Sequence, residues 1–372
     1  MIYLDNAATS WPKPREVVRA MALALEKCGA NPGRGGHALS LAAGRIVETC
    51  RGELAQLLGE TDASRVVFTQ NATDALNTAI HGVIRTGDHV VSTLLEHNSV
   101  LRPLSELSRS GLITLTLVAP DQHGMIRAED VEKALLPSTK LVVMTQMSNI
   151  LGVEQDVAGV GAVCRRHGVL LLIDAAQTAG HLPLAPLRWG ASMMALPGHK
   201  GLLGPHGTGA LWIRKGVRVA PLRQGGTGSS SESMYQPEEM PDRLESGTLN
   251  LPGIAGFLAG MRIARRHDAA AHIRALCACL REELLNLPGV RVYTRENAMM
   301  VSFNIEGVGS QTAAELLDSR GICVRAGLHC APGAHRFLGT LDGGAIRVSP
   351  GIYSTKEDIQ ALIRTVYEIN VL

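Results

Sequence analysis

Four short stretches carry side chains that could do chemistry. Lys200 stands in LPGHKGLLGPHGTG (196–209), straight after an apolar run, beside His199 and among five glycines within a dozen residues. Glycines let backbone approach a ligand closely. A lysine held in such a turn can form a Schiff base with a carbonyl cofactor, although a lysine in an ordinary turn is simply solvated. Asp174 ends the apolar run VLLLID (169–174), where an ionised carboxylate is costly unless paired. It could cap a helix or partner a protonated ring nitrogen. In FTQNATDALN (68–77), Asn71, Ala72 and Thr73 open a helical pattern, and free amides plus the helix dipole suit a phosphate there. In HCAPGAH (329–335), Cys330 lies among Gly, Pro and His with Arg325 upstream, a setting that favours a thiolate.

These stretches need elements to position them. Seven runs rich in Val, Ile, Leu and Met recur at 65–70, 89–97, 113–118, 140–146, 169–174, 191–196 and 209–214. Most lack polar alternation, as strands buried on both faces do. Amphipathic stretches at 14–29, 41–59, 72–84 and 157–168 read as helices. The alternation predicts an α/β fold with a mostly parallel sheet between helices, and ligands gather at the carboxyl ends of such strands. After about residue 250 the texture changes. Helices at 252–267 and 269–287 precede strand-like pieces at 290–294, 299–307 and 321–327. A last helix follows, with Ser354 and Glu357 at capping-box spacing. The division expected is a large domain over 13–250 and a smaller α+β domain from 1–12 with 251–372. QGGTGSSSES (224–233) reads as a mobile loop.

Composition excludes several classes. Of 372 residues, 36 are Lys or Arg and 34 Asp or Glu, so no basic excess exists for nucleic acid. No apolar run reaches the roughly 20 residues that span a bilayer, and the start MIYLDNAATS has no basic and apolar leader pattern. The seven cysteines are odd in number and scattered, which reads as free thiols in a reducing cytoplasm and not as a metal site.

Taken in order, YLDNAAT (3–9), NATDALN (71–77), EHNS (96–99), SNILG (148–152), IDAAQ (173–177), GHKGLLGP (198–205), ESGTLN (245–250) and RAGLHCAP (325–332) resemble the cysteine desulfurase family. Its members are pyridoxal 5'-phosphate (PLP) enzymes of fold type I in the class V aminotransferase group. The short R-x-G-x-H-C-A form around Cys330 resembles the selenocysteine-lyase-like group II. The resemblance implies a seven-stranded large domain and a homodimer. It gives Lys200 the Schiff base and proton transfer at the substrate Cα, and Asp174 the pyridinium nitrogen. Gln177 would bond the phenolic oxygen, with Asn149 close to cofactor and substrate. His97 would stack on the ring and take part in catalysis. Thr73, the Ala72 amide and His199 would hold the phosphate, with Thr248 reaching in from the second subunit. Arg347 would grip the substrate carboxylate. Cys330 would take sulfur from L-cysteine, or selenium from L-selenocysteine, leaving L-alanine and passing the load to an acceptor protein.

The chain departs from the family pattern at two places. Pro197 stands where many members carry Ser or Thr and offers neither hydroxyl nor N–H, and the stretch 223–233 differs from the more usual glycine-rich form. Two other readings stay open: a related PLP lyase or transaminase acting on another amino acid, and a catalytically weak sulfur-transfer partner. A thiol is unnecessary for transamination, and a scaffold needs none of Lys200, Asp174, Arg347 and Cys330.

Overall fold

A computed structural model describes residues 1–32 and 35–371. The short strand β1 (Ile2–Tyr3) lies apart from the main sheet. The seven apolar runs become β2 (Val66–Thr69), β3 (His89–Thr93), β4 (Thr114–Val118), β5 (Thr139–Thr145), β6 (Leu170–Asp174), β7 (Met193–Pro197) and β8 (Gly209–Ile213), all in one sheet. Their order is β2-β8-β7-β6-β5-β3-β4. Strands β3 to β7 pair in parallel, whereas β8 runs antiparallel to both β2 and β7. The connection from β7 to β8 is a short glycine-rich turn, too short for a crossover helix, so the strand must reverse. The apolar β7 and β8 are buried along their whole length, as is β3 despite its His89, Ser92 and Thr93, while β4 is an edge strand with exposed residues.

Helices α1 (Arg15–Cys28), α2 (Ala38–Leu57), α3 (Ala72–Val83), α4 (Asn98–Arg109), α5 (Ala128–Lys133), α6 (Val157–His167) and α7 (Pro186–Trp189) connect these strands. The long α8 (Leu251–Ala264) packs on α1 and α2, and its Leu251, Ile254, Phe257 and Met261 join the main core. A second core begins at α9 (Ala269–Leu285). It holds β9 (Val290–Val292), β10 (Val301–Ile305), α10 (Ser310–Ser319), β11 (Ile322–Cys323), β12 (Arg325–Gly327), β13 (Ala345–Val348) and α12 (Lys356–Asn370) around an antiparallel sheet ordered β12-β13-β10-β9. Between β12 and β13, α11 (Pro332–Leu338) packs instead on the main core through Ala334, Phe337 and Leu338. The break in packing thus falls between α8 and α9. The N-terminus is tied to this second unit, because β1 pairs in parallel with β11.

Three details differ from the sequence reading. The run 321–327 is two strands, since β11 pairs with β1 and β12 with β13. The run 89–97 is a strand only to Thr93; it then turns so that His97 caps α4. The capping box of α12 is Thr355 with Asp358, not Ser354 with Glu357. Ser354 Oγ is already engaged, accepting the Gly351 amide at 2.9 Å.

Candidate active site

The carboxyl ends of the central strands and the first turn of α3 enclose a cavity of about 350 Å³, within the range of small-ligand pockets. Every residue assigned to the site from the sequence lines it except Thr248.

One wall is built to hold an anion. Asn71 caps α3 by accepting the Asp74 amide at 2.9 Å, and the helical bonding starts with the Ala75 amide. The amides of Ala72 and Thr73 therefore remain at the open first turn, where the helix dipole is positive. The β7–β8 turn lies tight against this point: a Cβ on Gly209 would sit 2.9 Å from the Asn71 backbone. His199 contributes from that turn. Its ring stacks on His206, 5.1 Å between centroids and inclined by 25°, and its Nδ1 is buried without a partner. Its carbonyl accepts from Lys13 Nζ at 2.7 Å and from the Ser10 amide at 3.1 Å, which pins the peptide that precedes Lys200.

The floor carries the titratable groups. Asp174 is buried, and one of its oxygens accepts the Ala176 amide at 2.9 Å. Burial pushes its carboxyl above the usual range, an effect that the Lys200 ammonium opposes. Lys200 makes no ion pair or hydrogen bond with the described residues. Burial, opposed by Asp174 and reinforced by Arg347 and Arg325, lowers its amine to about 8. His97 accepts the Ser99 amide on Nδ1 at 3.0 Å, so its proton sits on Nε2. Burial, then the Lys200 charge, brings its ring down to about 4, so it is neutral at physiological pH. Ser99 Oγ also meets Thr73 Oγ1 at 2.7 Å, joining the His97 wall to the anion wall. Gln177 donates to the Ala7 carbonyl at 3.1 Å.

The second unit supplies the remaining wall. Arg347 is buried and gives NH2 to Asp5 Oδ1 at 2.8 Å and NH1 to the Asn149 carbonyl at 3.0 Å; its Nε has no partner. Asp5 accepts Arg325 through its other oxygen at 3.0 Å. Cys330 is exposed, and it and His329 both adopt left-handed backbone, with φ of 55° and 50°. Such conformations cost roughly 1–2 kcal/mol each outside glycine. The turn is held by the Asn98 amide donating to the Cys330 carbonyl and by Asn149 Nδ2 donating to the His329 carbonyl, both at 2.7 Å.

Thr248 lies elsewhere, exposed on the surface beside residues 226–228 and His37. Glu245 of the same motif anchors the segment, accepting Arg51 at 2.7 Å and the Phe68 amide at 2.6 Å. Asp5, Ser99 and His206 were not singled out from the sequence. All three stand inside quoted stretches, but nothing in their spacing shows that Asp5 braces Arg347, Ser99 braces His97 or His206 stacks on His199. A further buried carboxyl, Glu96, accepts Thr93 Oγ1 at 2.6 Å and the Thr145 amide at 3.0 Å on one oxygen, while its other oxygen is unpartnered. Burial lifts it to about 8. Among the described residues no group of three or more His, Cys, Asp or Glu is placed to hold a metal ion, and no helix is long and apolar enough to cross a membrane.

The donor set fits PLP. An open helix start could receive a phosphate, an unpartnered amine could meet an aldehyde, and a carboxylate with one oxygen left over could receive a ring nitrogen. The fold and this site are those of a fold-type I PLP enzyme. The family model of class V aminotransferases matches residues 2–362. A probable cysteine desulfurase of Methanothermobacter thermautotrophicus is 36% identical, with 99% of this chain and 94% of the relative covered. A probable cysteine desulfurase of Halalkalibacterium halodurans is 32% identical, over 98% and 92%. The apo structure of cysteine desulfurase from Thermococcus onnurineus NA1 superposes with a TM-score of 0.93 at 33% identity, covering 100% of this chain and 94% of that one. The chain belongs to the PLP-dependent class V aminotransferase family, within its cysteine desulfurase branch.

Proposed function

We propose that the enzyme removes sulfur from L-cysteine, leaving L-alanine, and that Cys330 is the first sulfur acceptor. The observation that carries this reading is that Lys200, Asp174, Arg347 and Cys330, drawn from four separate segments, line one cavity. PLP, when bound, supplies the electron sink that lets the bond from Cβ to sulfur break. The chain's own residues do the rest. The Ala72 and Thr73 amides, Thr73 Oγ1 and His199 hold the phosphate, with His206 stacked beside His199. Asp174 holds the ring nitrogen, Gln177 and Asn149 orient the ring edge, and His97 covers its face. Lys200, with its amine lowered to about 8, is partly unprotonated near neutral pH and can take and return a proton at the substrate Cα. Arg347, pinned by Asp5, meets the substrate carboxylate. The Cys330 thiolate attacks the substrate sulfur: an S–S bond forms, the C–S bond breaks, and Cβ gains a proton to become the alanine methyl. Cys330 keeps the sulfur as a persulfide, which an acceptor thiol then removes.

Two features support a homodimer completed by Thr248. Thr248 is exposed and away from its own cavity. Val18 and Leu25 on α1 and Leu39 and Leu41 on α2 expose apolar side chains, which suits a symmetric contact. The free cysteines support a reducing, cytoplasmic setting. L-selenocysteine, which differs at the transferred atom, fits the same residues.

A product assay with L-cysteine and a reductant tests the activity. Equal amounts of alanine and sulfide are expected. Pyruvate with sulfide would show β-elimination instead and overturn the reading.

A further inference from the structure

Behind the Cys330 turn lies a buried chain of polar groups that the proposed reaction does not use. His329 Nε2 meets the Arg325 carbonyl at 3.2 Å, and His329 Nδ1 meets His335 Nε2 at 3.3 Å. His335 Nδ1 meets Thr340 Oγ1 at 2.8 Å. The two rings are nearly parallel, 10° apart. His329, His335 and Thr340 are all buried, His335 completely.

Hydrogen-bond logic fixes the direction of this chain. A carbonyl only accepts, so His329 Nε2 must carry a proton. Neutral His329 then has a lone pair on Nδ1, which must receive His335 Nε2–H. His335 in turn has a lone pair on Nδ1, which must receive the Thr340 hydroxyl. Every member is satisfied with both rings uncharged. The reverse direction would require an imidazolium at His329, and burial together with the Arg347 and Arg325 charges presses that ring down to about 3. The chain ends on the residue adjoining Cys330, within a turn of two consecutive left-handed non-glycine residues.

We propose that His335 is a positioning residue for sulfur transfer: with Thr340 it locks His329 in the Nε2–H form and thereby holds the strained turn that points Cys330 into the cavity. The proposal rests on Cys330 being the acceptor, but the lock itself can be tested separately. In the full-length holoenzyme, nitrogen-15 spectra of labelled histidines should show His329 and His335 both neutral, with the proton on Nε2. A proton on Nδ1 of either ring would overturn the lock. His335→Leu should slow the transfer of sulfur to the enzyme thiol in a single turnover about tenfold, the worth of one or two lost hydrogen bonds, with KM and the PLP absorbance unchanged. His335→Gln, whose amide oxygen can accept from Thr340 while its nitrogen donates to His329, should restore most of the rate. Equal slowing in both variants, or a changed KM with an unchanged transfer rate, would overturn the positioning role. Should His335→Leu fail to fold, Thr340→Val reads the same chain from its far end. If Cys330→Ser transfers sulfur normally while the tautomers are as stated, the acceptor assignment fails and the lock stands.

Discussion

The cavity has two unlike halves. Its floor, Lys200 and Asp174 with His97, stands at the ends of buried parallel strands, and burial is the largest influence on all three. Its far wall, Arg347 and Cys330, comes from the second unit, where Arg347 is braced by Asp5 and Cys330 is exposed on a strained turn. The floor must fix a cofactor and tune proton affinities, which a dry, rigid sheet end does well. In the proposed reaction the wall would present a thiol to one partner and then to another, which requires exposure. A fixed site and a transfer arm are combined by folding two cores against each other.

The sharpest way to separate the halves is to remove each in turn. Lys200→Ala should abolish turnover and the visible absorbance of the lysine-bound cofactor together; a wild-type spectrum in that variant would remove Lys200 from the floor. Cys330→Ser should reduce alanine formation by at least about a hundredfold, since a hydroxyl is far the poorer nucleophile, yet leave the spectrum intact. Loss of cofactor in Cys330→Ser would mean that the halves are not separable. Arg347→Lys should chiefly raise KM, by about tenfold or more, because the fork that grips a carboxylate is lost; an unchanged KM would take Arg347 off the substrate.

The floor also predicts two pH effects. In cofactor-free protein, the rate of PLP capture should rise with a single ionisation near 8, the value to which burial brings the Lys200 amine. A midpoint above 10 would show a solvated lysine. Glu96 gives the smaller effect. Its folded-state value is raised to about 8 from an ordinary 4.5, so it favours the folded form fully below about pH 4.5 and loses that contribution as pH rises through 8. Glu96→Gln should flatten the fall in stability between pH 5 and 8 in urea titrations of the apoprotein; an unchanged slope would place the dependence elsewhere.

Most of the floor was legible in the sequence, because its chemistry is local. Lys200 follows β7 in a glycine turn, Asp174 ends β6, and Ala72 and Thr73 open α3, so each position declares itself by the element it terminates. The seven strands were legible for the same reason, through short runs that are mostly apolar. The wall was less so. The bracing of Arg347 by Asp5 links residues 342 positions apart, and no local pattern encodes a contact across two cores. The split between β11 and β12 follows from two different partners, β1 and β13, which a period of two cannot reveal. The chain from Thr340 through His335 to His329 is hidden for a similar reason, since a buried histidine reads from sequence like any other.

The most direct test of the central claim is mass spectrometry of the holoenzyme after L-cysteine is added without reductant. One added sulfur is expected on the peptide carrying Cys330, with alanine formed in equal amount, and no such addition in Cys330→Ser. Sulfide and alanine released at the full rate with Cys330 unmodified in a rapidly quenched sample, or the added sulfur on another cysteine, would contradict it.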